Sequence, residues 1–163
     1  MFAGTVLRCH GLRGDVVARM FLAGPVVALP AGTVLSVGGR EMVLARCAVR
    51  DARRINLGFD GVDSREAAAP LAGLDIALSR GAALAIGGFR PLDLFTGMKL
   101  VSSRLEGVVL EVDPEPANPL VAVDAGHGRR FEVPVSLLLS IGEIDWAGGA
   151  VRVELPVGIE DLD

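Results

Sequence analysis

The chain has 163 residues, enough for one large domain or two small ones. Apolar residues make up 51% of it, which argues against disorder. The net charge of −4 argues against a large nucleic-acid footprint, which needs a basic face.

Glycine is abundant, tyrosine is absent and Lys99 is the single lysine, so the basic side chains are nearly all arginine. Arginine suits planar, bidentate contacts; codon bias explains the same excess. Many glycines among Val and Leu favour short strands and turns. Cys9 and Cys47 lie in apolar, strand-like runs and read as small packed hydrophobes. With His10 and His127 they match no zinc-ligand spacing.

Taken from the N-terminus, runs 2–8 and 16–21 read as strands around the loop His10-Gly11-Leu12-Arg13-Gly14-Asp15. Two glycines bracket Leu12 and Arg13, so the backbone can turn sharply there and hold the arginine out. An apolar residue beside an arginine is a common interface anchor. The alternative is that Leu12 tucks under a barrel mouth and Arg13 is only solvated. No basic region precedes an apolar block at the start, so the expected setting is the cytoplasm. Residues 20–39 carry no charge, but Pro25, Pro30 and several glycines break them up. Strands and turns explain this stretch better than a spanning helix.

Residues 33–37 and 40–44 flank Gly38-Gly39, a two-residue hairpin turn. Residues 53–59 alternate, with Ile55, Leu57 and Phe59 on one face. A short helix follows. Asp63 is the expected cap, accepting from the Glu66 amide, with Glu66 reaching back. Pro70 predicts a tight, partly 3₁₀ ending, and Gly73 a left-handed stop. Residues 74–78 alternate again and close the first unit. Six short strands with one short helix suit a small closed barrel. The small, nearly uncharged residues after Leu78 read as a linker.

The second half repeats the all-β pattern. Residues 98–101 and 105–112 are strands, and the proline-rich loop 113–119 is stiff and polar. Residues 120–123 and 130–133 form a hairpin, as do 144–146 and 151–153. Residues 135–139 can make one helical turn. Trp146, the sole tryptophan, is expected on the second core with its indole nitrogen bonded.

Catalytic chemistry finds no purchase in this pattern. Both histidines sit beside glycine in loops, away from any nucleophile elbow. Asp60, Asp63 and Glu66 are accounted for largely by capping. Asp113, Glu115 and Asp124 follow no calcium-loop spacing. No catalytic, cofactor or metal residue is assigned, and recognition remains.

Six stretches, in order, resemble the RimM family of bacterial ribosome maturation factors. His10-Gly11-Leu12-Arg13-Gly14-Asp15-Val16 resembles that family's His-Gly-Leu-Arg-Gly-Glu-Val opening. Residues 57–74, with Asp63-Ser64-Arg65-Glu66-Ala67-Ala68 at their centre, resemble its Asp-Arg-Glu-Ala-Ala segment. Residues 94–101 and 105–109 resemble its Asp-Leu-Ile-Gly and Leu-Gly-x-Val stretches. Val133-Pro134-Val135 and the closing 158–162 resemble its Ile-Pro-Phe and Gly-Leu-Leu-Asp ends.

The resemblance implies an all-β chain of two small barrels. Residues 1–80 would form a barrel of the type found in reductases and translation factors, 81–92 a linker, and 93–163 a PRC-type barrel. It implies a non-enzymatic factor for the small ribosomal subunit, binding the nineteenth protein of that subunit in its head and helping the ribosomal RNA fold and be processed, with transient RNA contact. In the family, adjacent tyrosines near the second barrel matter for this engagement. This chain has Arg90, Pro91 and Leu92 there, with Phe89 and Phe95 as replacement aromatic area or as core. With Leu12 and Arg13, these five are the candidate partner-binding residues. The alternatives are a flavin- or nucleotide-binding oxidoreductase barrel, for which no dinucleotide fingerprint is present, and a PRC-barrel scaffold unrelated to ribosomes.

Overall fold

The computed structural model describes residues 1–114 and 117–159, so Glu115 and the closing match at 160–162 lie outside the described residues. The chain is all-β and divides into two units, Met1–Pro91 and Leu92–Asp163.

The first unit is a closed six-stranded barrel. Its first two strands, β1 (Phe2–His10) and β2 (Asp15–Met20), pair antiparallel with His10 opposite Asp15. β3 (Val34–Val37) and β4 (Arg40–Val49) form the expected hairpin. Val37 faces Arg40, and Gly38 and Gly39 have φ of +58° and +83°, which the two-residue turn demands. β5 (Arg54–Phe59) lies between β4 and β2. β6 (Asp75–Ala77) pairs with both β1 and β3, which closes the barrel and leaves no edge. Val16, Ala18, Leu35, Leu44, Ile55, Leu57, Phe59 and Ile76 fill the interior. The alternation read along 53–59 is the inward row of β5.

Helix α1 (Arg65–Ala68) runs into a 3₁₀ turn, Ala69–Leu71, as Pro70 required. Its cap is Ser64 rather than Asp63: the Ser64 hydroxyl accepts from the Ala67 amide at 3.1 Å. Ser64 is the residue with extended backbone, φ −142°, at the helix entry, and an adjacent carboxylate cannot take that place.

The stretch read as a linker over 81–92 folds instead. Ser79 caps α2 (Arg80–Ala85), accepting from Ala82 at 3.1 Å. Ala83 and Phe89 are buried in the first core, with Ala82 and Ile86 packed beside them. Leu22 bridges Pro91, and the Ala23 amide donates to the Arg90 carbonyl at 2.7 Å. Small residues can form a spacer, but an alanine face followed by Phe89 gains more by covering the barrel.

The second unit begins with a buried 3₁₀ turn, Leu92–Phe95. Its strands are β7 (Lys99–Val101), β8 (Glu106–Asp113), β9 (Leu120–Asp124), β10 (Arg130–Pro134), β11 (Glu143–Asp145) and β12 (Ala150–Arg152). They form one sheet in the order β10-β9-β8-β7-β12-β11, antiparallel except for β7 beside β12. Helix α3 (Val135–Ile141) joins β10 to β11, the two outer strands, and packs on both. Leu94, Phe95, Met98, Leu100, Val123, Phe131, Leu138 and Val151 are buried. No helix among the described residues is long and apolar enough to cross a membrane.

Candidate functional site

The turn between β1 and β2 is built on two left-handed glycines. Gly11 and Gly14 have φ of +67° and +85°, a region that L side chains rarely adopt. Gly14 also has no room for a side chain, because a Cβ there would collide with the Val62 carbonyl. The Cys9 thiol lies 3.8 Å from the Arg65 carbonyl. The two N-terminal stretches singled out in the sequence are therefore one site: the β1–β2 turn rests on the loop that enters α1.

That support holds Leu12 and Arg13 outward. Leu12 is 81% exposed, the most exposed large apolar side chain of the described residues after Val157, so it does not tuck under the barrel mouth. Arg13 is exposed beside it. At the foot of the turn, Asp15 accepts from Arg46 Nη2 at 2.7 Å and from Arg46 Nε at 3.3 Å. Arg46 is held above its ordinary pKa, first by the hydrogen bond and charge of Asp15, then by the fields of Asp63 and Asp60. The result is an apolar tip and a cation above a mixed set of charges, of which Asp15 and Arg46 form an ion pair.

The segment 89–95 has a different character. Phe89 and Phe95 are 0% exposed and Leu92 is 4% exposed; Pro91 is also buried. The two phenylalanines are core, and neither supplies exposed aromatic area. Arg90 is half-buried and donates to the carbonyls of Ile86 at 3.1 Å and Phe89 at 2.8 Å. It pins the end of the first unit. Trp146 is half-buried and meets Phe95 edge to face, with ring centroids 5.0 Å apart. Of the seven candidate residues, Leu12 and Arg13 alone form an open surface.

Few groups among the described residues are arranged for reaction chemistry. Among the described residues no three His, Cys, Asp or Glu side chains converge as metal ligands. The Cys47 thiol accepts from the Leu29 amide at 3.3 Å, and burial pushes its pKa up, which keeps it protonated and unreactive. Ser103 donates to Glu154 at 2.5 Å, but no imidazole lines that cleft. The Arg104 guanidinium donates to the Leu155 carbonyl, so this cluster ties a turn to the strand end.

Sequence reading missed Arg46, which meets Asp15 across 31 positions; nothing local in the chain marks the pair. It also missed an arginine cluster around Asp51, whose only signal was the dense run Arg50-Asp51-Ala52-Arg53-Arg54.

Comparison with known proteins finds one matching family model and relatives of the same name. The family model described as the RimM N-terminal domain matches residues 1–83. The ribosome maturation factor RimM of Acidobacterium capsulatum is 28% identical over 171 residues, covering 97% of this chain and 79% of its own length. That of Salinispora arenicola is 25% identical, covering 99% of both. A crystal structure of a 16S ribosomal RNA processing protein RimM from Pseudomonas aeruginosa is 20% identical, with a TM-score of 0.42, and covers 96% of this chain and 97% of its own.

Proposed function

The chain belongs to the RimM family, and from that membership we propose that it is a ribosome maturation factor acting on the small ribosomal subunit. In this reading it binds the nineteenth protein of that subunit and assists assembly of the subunit head and processing of its RNA. It works in the cytoplasm, catalyses no reaction and needs no cofactor. The observation that carries the reading is the likeness to relatives named ribosome maturation factor over nearly the whole chain, 97% and 99% of it.

Physical features support the reading. Leu12 and Arg13 are presented on a braced turn, which lowers the ordering cost of docking. A net charge of −4 favours encounter with a basic ribosomal protein. Binding one conformer of an unfinished head raises that conformer's population, and release follows when the mature surface no longer fits.

The test is co-sedimentation of the purified chain with immature and mature small subunits, alongside a pull-down on the isolated nineteenth protein. Binding to immature subunits in preference to mature ones is expected. Equal or absent binding to both overturns the proposal.

A further inference from the structure

The far end of the first barrel, opposite the β1–β2 turn, carries an arginine cluster. Arg19 on β2 stands directly across from Arg54 on β5, and Arg50 and Arg53 flank it in the β4–β5 turn. Like charges placed opposite each other on neighbouring strands are destabilising. Local rules are broken most often where a surface has a use. A cleft at this place is lined by Arg19, Asp51, Ala52, Arg53 and Arg54, three guanidinium groups to one carboxylate.

The single carboxylate is already committed. Asp51 Oδ1 accepts from the amides of Arg53 at 3.0 Å and Arg54 at 2.9 Å, and Oδ2 takes Arg54 Nε at 2.6 Å. It braces the turn and neutralises one cation of the four. The Arg50 guanidinium donates to the neutral Asn56 amide oxygen, at 3.3 Å. Arg19 lies over the Phe21 ring, 4.9 Å from its centroid, and that ring packs on Phe2 at 5.5 Å. The aromatic support fixes the plane of the guanidinium and adds no counter-charge. The next carboxylate along this row, Asp75, is reached only across Thr5, which it bonds at 3.2 Å.

We propose that Arg19, Arg50, Arg53 and Arg54 form a docking surface for the phosphodiester backbone of RNA. Braced, planar guanidinium groups match phosphate oxygens in a bidentate way that ammonium groups do not. A chain of net charge −4 cannot support a broad RNA footprint, but it can support a local one of a few phosphates. Backbone contacts of this kind position a protein on RNA without reading sequence. The inference rests on the reading above, in which the chain works beside ribosomal RNA, and gives that RNA a place on the first barrel.

The test is direct binding of the full chain to a labelled RNA hairpin at several salt concentrations, with R50Q/R53Q, R19K and R40Q variants. Wild-type binding should weaken with salt, and R50Q/R53Q should lower the salt slope by nearly one per arginine removed. At low salt the double variant should bind about tenfold more weakly, and R19K should also bind more weakly, although it keeps the charge. R40Q, at the other end of β4 from the cluster, should match wild type. Circular dichroism and a thermal melt check that each variant is folded. An unchanged slope in R50Q/R53Q, or an equal loss in R40Q, overturns the proposal. So does binding of polyglutamate as tightly as RNA, which would assign the surface to an acidic protein. The hairpin assay needs no ribosomal subunit. It can therefore fail while subunit binding holds, or succeed while subunit binding fails.

Discussion

The Asp15 carboxylate and the Arg46 guanidinium meet at 2.7 Å above the α-carbon of Gly58, where a Cβ would stand 2.5 Å from the Asp15 oxygen. Gly58 is thus a glycine of space: the tips of two side chains fill the volume its own would take. Gly14 differs. There the obstruction is the Val62 backbone, and φ is +85°.

Replacing the two glycines separates these cases. Gly14→Ala should cost about 2–4 kcal/mol, since neither the backbone strain nor the Val62 carbonyl can relax cheaply. Gly58→Ala should cost several-fold less, because the flexible ends of Asp15 and Arg46 can swing aside into solvent. Urea unfolding measures both, and equal losses would contradict the distinction.

Phe89 and Phe95 lie only six positions apart yet pack in different units. Phe89→Ala and Phe95→Ala should each destabilise by about 3–5 kcal/mol. Only Phe95→Ala should change the native emission of Trp146, whose ring it touches. Emission spectra of the two variants, taken before any unfolding, check this.

Leu12 and Arg13 offer the opposite behaviour. At 81% exposure Leu12 contributes little to folding, so L12A/R13Q should keep stability within about 0.5 kcal/mol. If the turn is the docking tip, the same variant should weaken small-subunit binding about tenfold or more. Unchanged binding would remove the tip from the interface.

Acid stability should report on Asp51. Its carboxyl is held below its ordinary value of 3.8, first by the hydrogen bond from the Arg54 side chain, then by the amides of Arg53 and Arg54. A lowered folded-state pKa contributes stability that is fully present above the ordinary value. That stability disappears as pH falls through the lowered one. Asp51→Asn should therefore flatten the fall in stability below about pH 4, measured as melting temperature against pH.

The particular elements show what the chain order could reveal. Gly38-Gly39 between two β-runs specifies a hairpin because the turn geometry admits little else. Pro70 specifies the 3₁₀ ending because it removes a donor, and alternation along β5 names the inward row. The cap position was open, since Asp63 and Ser64 are both capping residues and the path of the chain into α1 chose the second. The stretch 81–92 looked like a spacer because its composition is small and polar-poor, and that same composition covers a core equally well.

By itself, then, the sequence determined the all-β class, the strands and turns, and the family, because these depend on local backbone preference and on short ordered stretches. Only the tertiary structure decided that Gly14 rests on Val62, that Arg46 pairs with Asp15, that Phe89 belongs to the first core, and that Arg19 faces Arg54. Each of these joins residues distant in the chain, and barrel closure sets the strand register that brings them together.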